Sequence, residues 1–75
     1  MPKISPVHYK KLVRVFEKKG FMFDRQAGDH LVYVRDDVKR PIVIPTYSQV
    51  PVFIILNDLK TAGISRKEYL ALLKK

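Results

Sequence analysis

The sequence predicts an α+β fold in the order α-β-β-β-α-α, a three-stranded antiparallel sheet with helices packed on one face. Three observations predict it. An apolar stripe at helical spacing lies between Ser5-Pro6 and Gly20, two short strand-like runs flank Gly28-Asp29, and Pro51, Gly63 and Ser65 punctuate two further helical stretches. At 75 residues the chain reads as a single domain over 1–75. A chain this short buries only about 60% of the surface its unfolded form exposes, so its core is single and leaves no room for a deep enclosed pocket.

The first helix is expected to open at Ser5-Pro6 and close at Gly20, because Pro suits the first helical position and Gly the position just past the last. Between them Leu12, Val13 and Phe16 face inward, opposite Lys10, Lys11, Arg14 and Lys18. Residues 21–26 and 30–35 read as strands joined across Ala27-Gly28-Asp29, with Gly28 free to take the positive φ that a short hairpin loop demands. Asp36-Asp37-Val38-Lys39-Arg40 reads as the next turn and residues 41–45 as the third strand. Val52-Phe53-Ile54-Ile55 favours strand by composition. Pro51 at the entrance, Ile55, Leu59 and Ala62 at helical spacing and Gly63 as a stop outweigh that preference and predict a helix. Ser65-Arg66-Lys67-Glu68 is a capping box with Ile64 and Tyr69 as its hydrophobic staple, so a last helix is expected over 66–73, docking through Leu70 and Leu73.

Fifteen Lys and Arg against seven Asp and Glu give a net charge of +8. The excess at Lys10, Lys11, Arg14, Lys18, Lys19, Arg25, Lys39 and Arg40 points to a polyanionic partner, bound with an affinity that falls steeply with salt. Lys67, Lys74 and Lys75 read instead as a solvated face and tail. Absence of Cys excludes a disulfide framework and thiolate metal sites, and suits the reducing cytosol. Residues 1–6 show no secretory leader, and the longest apolar stretch, residues 50–56, is far too short to span a bilayer, so a cytoplasmic protein without a membrane partner is expected.

Gly28-Asp29-His30 offers the one constellation with chemistry in it. Histidine carries or releases a proton near neutrality without heavy tuning, so His30 is a candidate general base or acid beside a glycine that lets substrate approach the backbone. Most lone histidines beside turns are polar turn residues. Asp29 reads first as a turn-forming residue and second as a group that orients the imidazole. His8 reads as a helix-entry residue. Asp36-Asp37 forms a solvated turn in preference to a Mg²⁺ site, and two His without Cys argue against Zn²⁺, so neither metal nor cofactor is expected.

The order of these pieces resembles the HicA toxins of prokaryotic toxin–antitoxin pairs. Phe16-Glu17-Lys18-Lys19-Gly20-Phe21, Arg25-Gln26-Ala27-Gly28-Asp29-His30, Val43-Ile44-Pro45 and Leu59-Lys60-Thr61-Ala62-Gly63-Ile64-Ser65 carry the resemblance over nearly the whole chain. It implies a fold like that of double-stranded-RNA-binding domains and a metal-independent RNA endonuclease, an mRNA interferase acting as the toxin of a type II pair. It further implies His30 as the catalytic histidine in what is usually Gly-Ser-His, and a HicB-like antitoxin as partner. In such chemistry the 2′-hydroxyl attacks phosphorus, and cations stabilise the phosphorane. Gly28 and Asp29 would position substrate, and Lys10, Lys11, Arg14, Lys18, Arg25, Lys39 and Arg40 would hold RNA. Water, Tyr47 or Tyr33 would carry the second proton.

Two stretches depart from the family pattern. Asp29 stands where Ser is usual, and Tyr47 with Pro51-Val52-Phe53-Ile54 replaces a histidine and a Gly-Thr-Leu-Arg-like helix opening, which puts apolar side chains where phosphate-binding groups would stand. Residues 52–59 carry more apolar side chains than one packing face needs, so Phe53 or Ile54 is expected to stay partly exposed and to contact a second copy of the chain or the antitoxin, with core packing as the alternative. Pattern alone does not fix the face of His30, since Val32 and Val34 share its parity while Leu31 and Tyr33 are apolar too. A non-catalytic RNA-binding module of the same fold and a protein-interaction domain are the alternative functions.

Overall fold

The computed structural model describes residues 3–74. Its elements are α1 (Tyr9–Lys18), β1 (Met22–Ala27), β2 (His30–Arg35), β3 (Val38–Pro45), α2 (Val52–Ala62) and α3 (Arg66–Leu73). The strands form one antiparallel sheet in the order β1-β2-β3. This is the predicted α+β architecture. Lys75 lies outside the described residues, while Lys67 and Lys74 are exposed.

One core joins sheet to helices. Leu12, Val15 and Phe16 of α1, Tyr33 of β2, Ile42 and Ile44 of β3, Ile55 and Leu59 of α2 and Tyr69 of α3 all belong to it. The inward stripe of α1 therefore runs through Val15, with Val13 at its half-buried margin, and α3 docks chiefly through Tyr69 while Leu70 and Leu73 pack at the rim. Opposite residues in an antiparallel ladder share a face. Tyr33 pairs with Ile42 and Leu31 with Ile44 on the core side, which leaves His30, opposite Pro45, and Val32, opposite Val43, on the other side of the sheet.

Boundaries differ from expectation where distant pairing decides them. Helix α1 starts at Tyr9, three residues after Pro6, because Val7 bridges Val50 and His8 caps the helix, its Nδ1 accepting from the Lys10 amide at 3.2 Å. Strand β1 begins one residue later than expected. The second turn shrinks from five residues to Asp36-Asp37, since Arg35 pairs with Val38, and Lys39 and Arg40 are strand residues. Between the Tyr33–Ile42 and Arg35–Val38 pairs, β3 sets Lys39, Arg40 and Pro41 against the single Val34, an irregularity that accommodates a proline lacking an N–H. A register shift in β1 between Phe23 and Arg25 leaves Asp24 as one extra residue.

The helical reading of α2 holds against local composition. Gly63 ends it at φ 72°, and its amide bonds back to Leu59 and Lys60 carbonyls. In α3, the Ser65 hydroxyl accepts from the Glu68 amide at 3.0 Å. The Glu68 carboxyl sits below its usual range, first through a hydrogen bond from Lys19 and last through the Ser65 amide, which completes the capping box and ties α3 to the end of α1. Among the described residues no helix is long and apolar enough to cross a membrane.

Candidate active site

Gly28 and Asp29 form the two-residue turn between β1 and β2, with Gly28 at φ 61° and Asp29 on the ordinary side of zero, the Gly-first arrangement that follows the twist of a hairpin. The turn is held from outside. Thr46, just past β3, donates both its amide (2.8 Å) and its hydroxyl (3.0 Å) to the Asp29 carbonyl, and Gln26 donates to the Gly28 carbonyl at 3.0 Å. Those bonds use backbone, so the Asp29 side chain is free to turn onto its neighbour. Its Oδ1 lies 2.7 Å from His30 Nδ1. The contact sets a carboxylate beside Nδ1 and leaves Nε2 as the other ring nitrogen. The imidazole is 43% exposed, so substrate can reach it.

His30 lines an open cleft of about 410 Å³ with Val43 and Pro45 of the sheet and Phe53, Ile54, Asn57 and Asp58 of α2. Val43, Pro45, Phe53 and Ile54 make its apolar part, and Phe53 is 73% exposed, whereas Ile54 is half-buried. Asp58 is the outlier. It is 5% exposed, its Oδ2 has no hydrogen-bond partner among the described residues, and burial pushes its carboxyl up to about 7. A second cleft of about 350 Å³, lined by Val38, Lys39, Arg40, Lys60 and Thr61, shares Asn57 with the first.

The cations expected to grip substrate divide between places. Lys39 and Arg40 line the cleft that adjoins the His30 site. Arg25 pairs in the ladder with Val32, on His30's side of the sheet, and its guanidinium is salt-bridged to Asp24. Lys11, Arg14 and Lys18 line a separate groove with Leu72 and Leu73, where the Lys18 ammonium donates to the Leu72 carbonyl; Lys10 is exposed on the same helix. None of these four lines the His30 cleft. Tyr33, weighed as a proton carrier, is 5% exposed in the core, and burial followed by the Glu17 charge raises its hydroxyl further. That removes it from the site. Tyr47 is exposed, and its carbonyl accepts from the Tyr9 amide. The Arg35 guanidinium binds both carboxylate oxygens of Asp37 and holds that acid below its usual range.

A family model, described as the HicA toxin of bacterial toxin–antitoxin, matches residues 9–64 of the 75. The chain belongs to the HicA toxin family. The match runs from the start of α1 through the end of α2, so it contains the Gly28-Asp29-His30 turn and every residue of the cleft. Membership gives the chain a toxin role and implies an antitoxin partner. No curated protein matches the chain closely enough to add to this.

Sequence reasoning missed three contributors to the site of this HicA-family chain. Thr46 gives no signal in the sequence, because its bond to Asp29 spans seventeen positions. Asn57 follows from the α2 geometry alone. Asp58 did carry a signal: it falls within the inward stripe of Ile55, Leu59 and Ala62, where a carboxylate is out of place.

Proposed function

We propose that this HicA-family toxin is a metal-independent RNA endonuclease, an mRNA interferase acting in the cytoplasm, with His30 as its proton carrier. The observation that carries the reading is the contact of Asp29 Oδ1 with His30 Nδ1 on a half-exposed ring at the lip of an open cleft. Asp29 holds the ring and steadies the imidazolium as it forms, as the carboxylate does in other imidazole-based sites. His30 Nε2 takes the 2′-hydroxyl proton, the 2′ oxygen bonds to phosphorus, and the bond to the 5′ oxygen breaks. The products are a 2′,3′-cyclic phosphate and a 5′-hydroxyl that takes its proton from water. Lys39 and Arg40, with Arg25 on the same side of the sheet, supply positive charge for the strand, and Gly28 gives it backbone clearance. A HicB-like antitoxin would neutralise the toxin by covering His30 and exposed Phe53.

The test is His30→Ala. Induced expression of the native chain should arrest growth and fragment transcripts. The variant, with unchanged circular dichroism, should lose cleavage by at least about 100-fold while keeping salt-sensitive RNA retention. Cleavage that survives the substitution rules out the proposal, and RNA retention without cleavage by either chain selects a binding module.

A further inference from the structure

Asp58 has no part in that chemistry, yet it is the buried charged residue among the described residues. A carboxyl at 5% exposure with an unpartnered oxygen destabilises a fold, and an apolar residue would complete the stripe of Ile55, Leu59 and Ala62. Such a group is retained at no structural profit in the wall of a cleft that already holds the imidazole. We infer that this cleft is a nucleobase pocket that selects guanine at the nucleotide flanking the cut, with Asp58 reading its Watson–Crick edge and Phe53 stacking on its face. The inference rests on the RNA-cleaving reading of His30.

Four features decide the ligand class. Val43, Pro45, Ile54 and the exposed ring of Phe53 make apolar walls, which suit the faces of a flat aromatic ligand and repel nothing in it. A phosphate would meet an acid in the same space, so the charged part of the nucleotide must lie elsewhere. The adjoining cleft supplies that place, since Asn57 belongs to both and Lys39, Arg40 and Lys60 line the second. The volume of about 410 Å³ falls within the usual size of small-ligand sites.

The choice of guanine follows from donor geometry. A carboxylate presents two acceptors side by side; Asp58 Oδ2 is sealed in the resting wall, so the side chain turns its carboxyl outward as the base enters and offers both oxygens. Guanine alone among the four RNA bases sets two donors, N1–H and the 2-amino group, side by side on its Watson–Crick edge. Adenine and cytosine set an acceptor beside their amino group, and uracil flanks its single N–H with carbonyls. Each would leave an oxygen of Asp58 facing an acceptor. Because burial pushes the Asp58 carboxyl up to about 7, its proton leaves at little cost near neutrality when guanine arrives. A bidentate pair of this kind discriminates about 10- to 100-fold between bases.

The experiment uses the full chain and two probes, guanosine and adenosine 5′-monophosphate, followed by amide chemical shifts at residues 53–58. It is paired with cleavage of RNAs that differ only in the nucleotide flanking the cut. Native protein should bind the guanine nucleotide at least about tenfold more tightly and cut beside guanine preferentially, and Asp58→Leu should bring both ratios close to one. Thermal unfolding checks that Asp58→Leu is folded, and Asp58→Asn, which exchanges one acceptor for a donor, repeats the measurement if it is not. Equal response to the two nucleotides, or a preference unchanged in both variants, overturns the pocket. Discrimination by a native chain that cuts no RNA supports the pocket and overturns the nuclease reading alone.

Discussion

Asp29 and His30 are adjacent in the chain, and their contact exists because the backbone, not the carboxylate, satisfies the turn. With the Asp29 carbonyl held by Thr46, the side chain is left to meet Nδ1 at 2.7 Å. Asp29→Asn should therefore keep the hairpin and remove only the charge behind the ring. We expect kcat for RNA cleavage to fall about tenfold or more with KM little changed, measured by steady-state kinetics on a short RNA. His30 was legible in the sequence as a titratable residue beside a glycine, and the family pattern raised it further. Its partner was legible only as a second reading, because an acid in a turn reads first as a turn former. Asp58 makes a separate prediction. Its carboxyl releases its proton at about 7 in the folded protein against 3.8 as the ordinary value. Between those values the folded chain holds a proton that the unfolded chain has lost, so this group's contribution falls as pH rises and levels off above about 7. The loss is on the order of a few kcal/mol. Denaturant unfolding from pH 4 to 8 should show a steeper decline in the native chain than in Asp58→Leu.

Elements followed the punctuation of the sequence more closely than its composition. In α2, β-favouring Val52-Phe53-Ile54-Ile55 is helical because Pro51 and Gly63 bound a stretch whose burial repeats at helical spacing, and packing on β3 rewards that period. The cap of α3 was legible in full: Ser65 and Glu68 make the bond their spacing announces. Ser65→Ala should cost about 1 kcal/mol, seen as a fall in Tm of roughly 4–8 °C by circular dichroism. What local signals did not contain were the long-range pairs. Ser5-Pro6 resembles a helix start, but the Val7–Val50 bridge keeps that segment extended until His8. Likewise Val38, Lys39 and Arg40 read as polar turn residues, and only pairing with β2 makes them strand. The sequence named Lys39 and Arg40 among the RNA-holding cations, and only the strand pairing puts them in the cleft beside His30.

Taken whole, the molecule carries its charge of +8 on more than one surface. Lys39, Arg40 and Lys60 adjoin the His30 cleft, whereas Lys11, Arg14 and Lys18 occupy a groove beside α3. Phosphates close to the cut should therefore be neutralised by the first group. Replacing Lys39 and Arg40 together by Gln should reduce the slope of log affinity against log salt for single-stranded RNA by about 1.4, two contacts at about 0.7 each. Fluorescence anisotropy across a salt series measures this, and Lys11→Gln with Arg14→Gln should change the slope by less. The sheet arrangement has one more consequence. Strand β1 forms a border with no strand beyond it among the described residues, all six of its side chains are exposed, and Met22 and Phe23 among them are apolar. Such a border invites another copy to zip onto it and grow into an aggregate. The additional residue at Asp24 bends the strand midway and deepens its coil, so the unpaired amides and carbonyls no longer run in even step. In this HicA-family chain the bend works against strand-to-strand growth along that border.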